Sequence, residues 1–346
     1  FLLDMWGVMH DGEKPYNGVL EVIQKLKNYH QDNENKKKKK LIIVSNSSKR
    51  RSNSVKMLRK LGFNENDFDE IITSGEVAHH LLQYLSSSDI SRNNNNNNAF
   101  CFGSGDEDEI YLNSCGWTLA ENIESANLIV ARGTFVIHQK QNENDDDNVM
   151  KNNGVVVDKK IDETLYWKTY QDVLDKAARK QIPMIVCNPD KIRPDIDKSP
   201  MPGTIGVAYE ELLSKYHGGN KNNDDGDDNY DNSAFSTESL VLYLGKPFPS
   251  VYEIALSSIS SSSDGDSSSD DIDKSRVVMV GDALETDVTG ATVAGFDSIW
   301  VINDGIHYQD VNGCETVLQD FNQKSELTYA KGRQVSPTFV IPHFRW

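Results

Sequence analysis

The sequence lacks any apolar run of the length a membrane span needs, about 20 residues. Cysteine is scarce: Cys101, Cys115, Cys187 and Cys314 are the only four in 346 residues, and no two share a paired spacing. That excludes a disulfide framework and gives no zinc signature, and it suits a reducing, cytoplasmic setting. Basic charge is short too, with 36 Lys and Arg against 53 Asp and Glu and a formal net charge of −17. Nucleic acid is therefore a poor partner, because a phosphate backbone calls for a basic face. Hydrophobic residues reach only 37 %. The deficit is local: the runs 93–98, 142–153, 219–233 and 257–275 concentrate Asn, Asp and Ser. Such runs cannot bury enough apolar area to offset the entropy of ordering, so they are expected to be surface loops. The Asn run 93–98 is expected to be a linker without a packing role, and 31–40, ending in five lysines, a solvated loop. The chain starts without Met and inside a strand-like run, so it is expected to be truncated, and a removed targeting peptide is compatible with it.

What remains is a regular alternation. Phe1 to Leu3 reads as the end of a buried strand, and Gly7 and Gly12 bracket the loop after it. The spacing of Val19, Val22, Ile23 and Leu26 predicts a helix over 18–29. Leu41-Ile42-Ile43-Val44 has the continuous apolar character of a parallel strand buried on both faces. A basic helix over about 49–61, a strand at 71–74 and a helix at 76–85 follow. This is the opening of a doubly wound α/β sheet. Residues 76–202 read as a separate small α/β unit, with strands at 99–102, 127–131, 154–157 and 183–187 and an amphipathic helix over 166–179. After a helix at 205–216, the first sheet is expected to resume at 240–244 and 277–280, with 298–301 as its last core strand and the apolar tail 337–346 packing back. The fold class is thus α/β, a Rossmannoid parallel-sheet core (1–75 and 203–346) with an inserted α/β cap (76–202).

The candidate chemistry sits where these strands end. Four of them run into Asp4, Ser45, Gly245-Lys246 and Gly281-Asp282 to Asp287. In a parallel sheet the carboxyl ends share one edge, where such folds keep their ligands. Three carboxylates there are costly unless a cation neutralises them, and Mg²⁺ with the Lys246 ammonium would supply the charge. A phosphate group is then a natural ligand, taken by the metal, Lys246, the Ser45 hydroxyl and backbone N–H groups. A carboxylate at Asp4 poised to attack phosphorus would form an aspartyl-phosphate.

These motifs resemble those of the haloacid-dehalogenase superfamily, in its class with a large α/β cap, the NagD-like or p-nitrophenylphosphatase-like group. Asp4-Met5-Trp6-Gly7-Val8 stands for the nucleophile motif, Ser45-Asn46-Ser47 for the phosphate-binding motif, Gly245-Lys246-Pro247 for the lysine motif and Gly281-Asp282 to Asp287 for the acidic metal motif. Asn188-Pro189-Asp190 resembles the cap signature near which substrate specificity is set. The resemblance implies that Asp4, the Trp6 carbonyl and Asp282 bind Mg²⁺, with Asp287 supporting the ion or Lys246. It implies hydrolysis of a small phosphorylated metabolite, no membrane partner, and the cap as the surface through which a homodimer would form. One departure stands out. Phosphatases of this superfamily usually carry a second Asp two residues after the nucleophile as general acid and base, and here that position is Trp6. Asp11 or His10 is the nearest replacement. The departure also favours a dehalogenase- or phosphonatase-like hydrolase, and a third reading, from a different class, is a binding protein that holds phosphate ligands without turnover.

Overall fold

The computed structural model describes residues 1–29, 39–88, 97–105, 107–139, 155–193, 199–218, 240–260, 272–309 and 335–345. The polar runs 142–153 and 219–233, most of 31–40 and 93–98, the central part of 257–275 and Cys314 lie outside the described residues. The chain divides into two compact units. The first comprises Phe1–Val77, Ile192–Ser199 and Leu244–Trp346, the second Ala78–Lys191 and Pro200–Tyr243.

The first unit is built on a six-stranded, all-parallel sheet. Its strands are β1 (Leu2–Leu3), β2 (Ile42–Ser45), β3 (Glu70–Thr73), β11 (Val278–Gly281), β12 (Asp297–Val301) and β13 (Phe339–Ile341), in the order β13-β12-β11-β1-β2-β3. Side chains alternate along a strand, so Leu3, Ile43 and Val280 enter one core while Leu2, Ile42 and Met279 enter the other. On the first face lie helices α1 (Val19–Asn28) and α2 (Arg51–Lys60), through Val22, Ile23 and Leu58. On the second lies a later helix, Pro249–Ser260, through Val251, Tyr252 and Ala255. Burying such side chains contributes about 1.5–3 kcal/mol each, which makes the centre of the sheet a rigid mount for whatever follows β1. Helix α2 closes as its sequence asks, with Gly62 at φ +85° just past its end. A final short helix, Thr289–Ala294, stops at Gly295 in the same left-handed conformation.

The second unit carries its own seven-stranded sheet. Strands β4 (Asn98–Gly103), β6 (Leu128–Ala131), β9 (Met184–Val186) and β10 (Val241–Tyr243) run parallel, with the short β5 (Thr118–Leu119) also parallel beside β4. Strands β7 (Val136–Gln139) and β8 (Val155–Asp158) continue from β4 antiparallel to their neighbours. Helix α3 (Ser74–Ser87) leads into this unit, which also holds α4 (Glu107–Ser114), α5 (Glu163–Lys180) and α6 (Pro202–His217). The two helices of the first unit that follow are α7 (Pro249–Ser260) and α8 (Thr289–Ala294).

Three expectations change. The run 240–244 does not resume the first sheet: β10 pairs with β9, matching Val241 to Met184, so α6 and β10 belong with the second unit and the return to the core falls at 243/244 instead of 202/203. An apolar run shows that a strand is buried but not which sheet buries it. Strand β12 is not the last of its sheet, because the tail supplies β13, pairing Phe339 with Ile299. The end of the Asn run does have a structural role, since Asn98 opens β4 and the Asn97 amide donates to the carbonyls of Ser86 and Gly116.

Candidate active site at the ends of the central strands

Asp4 leaves β1 with its N–H donated to the Val280 carbonyl at 2.9 Å, so the strand pairing itself fixes where its side chain starts. The loop beyond is closed by its own backbone. Met9 and His10 donate to the Met5 carbonyl and Gly7 donates to the His10 carbonyl. Among the described residues no hydrogen bond is recorded on the Trp6 carbonyl, which leaves that oxygen available as a ligand. Gly7 has φ +84°, and a Cβ there would sit 2.1 Å from Asp282 Oδ2. Only glycine lets the loop lie this close to the carboxylate.

Asp282 follows β11, the strand next to β1. Its carbonyl accepts from the indole N–H of buried Trp300 at 2.8 Å, and its Oδ2 accepts from the Ile306 N–H at 2.8 Å. The turn Leu284–Val288 then folds Asp287 back, so that its Oδ2 accepts from the N–H groups of Asp282 and Ala283. Gly281 is needed beneath it, because a Cβ there would meet the Asp287 carboxyl carbon at 2.1 Å.

Lys246 arrives from the segment after β10, joined to Pro247 by a cis peptide. Its Nζ donates to Asp4 Oδ1 and to Asp287 Oδ1, both at 2.6 Å, and its side chain is only 2 % exposed. Burial works against its charge, but the Asp287 and Asp4 carboxylates hold its pKa above the ordinary lysine range. Asn46, at the end of β2, pairs reciprocally with the Lys246 peptide: its Oδ1 accepts from the Lys246 N–H at 2.7 Å and its Nδ2 donates to the Lys246 carbonyl at 3.0 Å. The expected phosphate-binding Asn46 is thus occupied in fixing the lysine. Ser45, the last residue of β2, is buried, and its Oγ accepts from the Ser47 N–H.

One carboxylate oxygen from each of Asp4, Asp282 and Asp287 lies within 4.8 Å of the others. Burial, then the charges of Asp4 and Asp287, push the Asp282 carboxyl well above the usual range. Burial likewise lifts Asp287 to about 6 against the pull of Lys246. One ammonium does not neutralise three carboxylates, and an all-oxygen donor set of this kind fits a hard divalent cation such as Mg²⁺.

Among the described residues, the loop that follows Asp4 adds no further carboxyl group to this cluster. Asp11 Oδ1 accepts from the N–H groups of Glu13 and Lys14, which hold its carboxyl below the usual range although burial alone would raise it. It caps a turn and is not one of the clustered carboxylates. His10 is fully buried, its Nδ1 accepts from the Gly12 N–H, and burial lowers its pKa to about 4. The Trp6 ring packs on Gly12, where a Cβ would come within 3.0 Å of it, and the Arg193 guanidinium lies 5.8 Å from a Trp6 ring centroid. In the second unit, Asn188 is buried and its Oδ1 accepts from the Asp190 N–H, so these two residues close a turn of their own. Sequence reasoning missed Trp300, Ile306 and Arg193, since none carries a motif. The glycines that admit the carboxylates were the one readable signal.

Two family models, described as haloacid dehalogenase-like hydrolase and HAD-hydrolase-like, match residues 1–118 and 243–345, together more than half of the chain. A search of the curated proteins found no match. Among solved structures, a haloacid dehalogenase-like hydrolase from Brucella suis is 24 % identical with a TM-score of 0.57, covering 89 % of this chain and 86 % of its own. The p-nitrophenyl phosphatase of Archaeoglobus fulgidus is 21 % identical with a TM-score of 0.57, over 99 % of this chain and 95 % of its own. A glycerol phosphate phosphatase of Mycobacterium tuberculosis, in complex with magnesium, is 17 % identical with a TM-score of 0.55, over 99 % and 75 %. At these identities the structures speak for the fold, and it is the two family models, each spanning strand ends that carry the clustered side chains, that place this chain among the haloacid dehalogenase-like hydrolases.

Proposed function

We propose that this protein hydrolyses small phosphomonoesters through an aspartyl-phosphate on Asp4, with Mg²⁺ held by Asp4, Asp282 and the Trp6 carbonyl. The observation that carries this reading is the buried cluster of Asp4, Asp282, Asp287 and Lys246, with a salt-bridged lysine touching the strand-end aspartate. Lys246 holds Asp4 in place and neutralises part of the charge an incoming phosphate meets. The Asp4 carboxylate attacks phosphorus, the bond to the ester oxygen breaks, and the alcohol leaves as its alkoxide. Water then attacks the phosphorus of the acyl phosphate, releasing inorganic phosphate and restoring the carboxylate. The bound cation supplies Lewis-acid stabilisation of the phosphoryl oxygens. Asn46 keeps the lysine aimed, and Trp300 and Ile306 keep Asp282 aimed.

The proton for the leaving group is the weak point. Asp11 is a turn-capping carboxylate, and His10 is neutral at pH 7. General acid catalysis is worth about 10²–10⁴-fold, so substrates that leave as stabilised anions, such as aryl phosphates, are favoured over alkyl phosphates. The second unit, holding Asn188 and Asp190, is the specificity cap in this reading. Trp6 also favours a phosphonatase- or dehalogenase-like reaction, where no alkoxide needs a proton, although the retained Asp282 and Asp287 keep a metal in the scheme.

The test is steady-state hydrolysis of p-nitrophenyl phosphate and glycerol phosphate with Mg²⁺ or EDTA, in the parent, Asp4→Asn and Trp6→Asp. Expected are Mg²⁺-dependent phosphate release that is faster for the aryl ester, loss of it in Asp4→Asn, and a gain confined to the alkyl ester in folded Trp6→Asp. Phosphate release that survives Asp4→Asn, or none from any ester, overturns the reading.

A further inference from the structure

A second cluster of ligand-type side chains lies wholly within the second unit. Strands β4 and β7 pair antiparallel with Phe102 opposite Ile137 and Gly103 opposite Val136, which puts Cys101 opposite His138. Directly opposed residues on such a pair carry their Cβ atoms about 4.5–5.5 Å apart on one face. Asp108, in the first turn of α4, completes the group. Cys101, Asp108 and His138 are all buried, and one ligand atom from each lies within 4.8 Å of the others. His138 Nε2 is 3.0 Å from Asp108 Oδ2.

We propose that Cys101, Asp108 and His138 form a zinc site that ties β4, β7 and the start of α4 together. The donor set decides the metal. Thiolate, imidazole and carboxylate together suit Zn²⁺, whereas Mg²⁺ takes oxygen ligands. The size agrees. Zinc bonds of about 2.0–2.3 Å put tetrahedral donors roughly 3.3–3.8 Å apart, and the three atoms here lie within 4.8 Å of one another. The space is kept for the donors, since a Cβ on Gly103 would fall 1.9 Å from Asp108 Oδ2 and 3.1 Å from His138 Nε2.

The surroundings orient Asp108 from outside. Its Oδ2 accepts from the N–H groups of Ser104 and Gly105 at 2.8 Å each, and Oδ1 is paired with the Arg132 guanidinium, which stacks 4.2 Å from the Tyr111 ring centroid. Such outer partners are what hold metal ligands in register. On binding, His138 gives up its contact with Asp108 and offers the Nε2 lone pair, its ring proton on Nδ1. The Cys101 thiol proton goes to solvent, and a solvent ligand completes the tetrahedron. No electrons are transferred.

The experiment strips the full-length protein with chelator, dialyses it and titrates it with Co²⁺ and then Zn²⁺. It compares the parent, Cys101→Ser, His138→Gln and Asp282→Asn. Expected are a thiolate-to-cobalt charge-transfer band that saturates at one Co²⁺ per chain, apart from any ion taken by the carboxylates of the first unit, its displacement by Zn²⁺, and a higher melting temperature with zinc. Cys101→Ser should lose the band, and His138→Gln, which keeps the thiol should the serine variant not fold, should bind at least about 100-fold more weakly. Asp282→Asn should keep the band, which separates this site from the carboxylates of the first unit. Absence of a thiolate band in the parent, its persistence in Cys101→Ser or its loss in Asp282→Asn overturns the proposal; the cluster is then an ion-paired hub without metal.

Discussion

Replacing Lys246 by Met tests the electrostatic reading of the site most directly. The change keeps the length of the side chain but removes the one cation seated between Asp4 and Asp287, both 2.6 Å from its ammonium. Three carboxylates, each with an oxygen within 4.8 Å of the others, are then left without the ammonium that sat between two of them. Breaking a buried ion pair from one side costs about 3–5 kcal/mol, because the remaining charge stays buried and unpaired. At about 2–4 °C per kcal/mol for a unit of this size, the metal-free variant should melt on the order of 6–20 °C lower at pH 7.5. Magnesium should then matter more. A ligand at about 100 times its Kd adds roughly 2.7 kcal/mol, and a site stripped of its ammonium should bind the divalent ion more tightly than the parent. The assay is differential scanning fluorimetry of both proteins across a Mg²⁺ series. A metal-free melting temperature within about 2 °C of the parent, or an equal Mg²⁺ shift in the two proteins, would refute the reasoning.

Two further outcomes follow from the loop after Asp4. His10 has its pKa lowered from 6.5 to about 4 by burial, so below pH 6.5 the unfolded chain takes up a proton that the folded chain refuses. This contribution is intact above that pH and is lost, by about 3 kcal/mol, as pH falls toward 4. His10→Asn keeps an acceptor for the Gly12 N–H, and its urea midpoint should fall less steeply than the parent's between pH 7 and 4; parallel slopes would show that His10 titrates normally. Gly7→Ala places a Cβ against the Asp282 carboxylate at a φ of +84°. It should weaken the Mg²⁺-induced rise in melting temperature, and an unchanged rise would mean that Asp282 is not where the ion sits.

The site was legible to the extent that position at a strand end implies chemistry. Asp4 and Asp282 follow adjacent parallel strands, and Asp287 needs only a tight turn to return, so a linear reading reaches all three. Lys246 was found for a partly wrong reason. The apolar run before it is indeed a strand, but β10 pairs in the other sheet, and nothing in five apolar residues records which neighbour they meet. The role of Asn46 was equally hidden, since an amide beside a phosphate motif looks the same whether it binds ligand or the Lys246 peptide. Asp11 shows the converse: a carboxylate two positions before Glu13 serves as well in capping a turn as in catalysis. Cys101, Asp108 and His138 are separated by stretches that share no motif, and only the β4–β7 register makes neighbours of the first and last.

Strand β1 lies in the middle of its sheet. Leu2 pairs with Ile42 on one side and with Met279 on the other, and Asp4 hangs from the Val280 carbonyl. Between these partners lies the whole second unit, whose own sheet closes with Tyr243. During synthesis β1 can pair with β2 early, but its other edge must wait for β11, which follows the second unit in the chain. Until then the edge strand is unpaired, the aspartate has no lysine, and the other two carboxylates have not been made. Pairings so distant in sequence carry a large loop-closure entropy and close slowly, whereas the second unit has nearly all of its sheet in hand well before. Asp4 is thus made before the second unit, and its lysine and the two other carboxylates only after it, so the cluster cannot assemble until that unit has been synthesised.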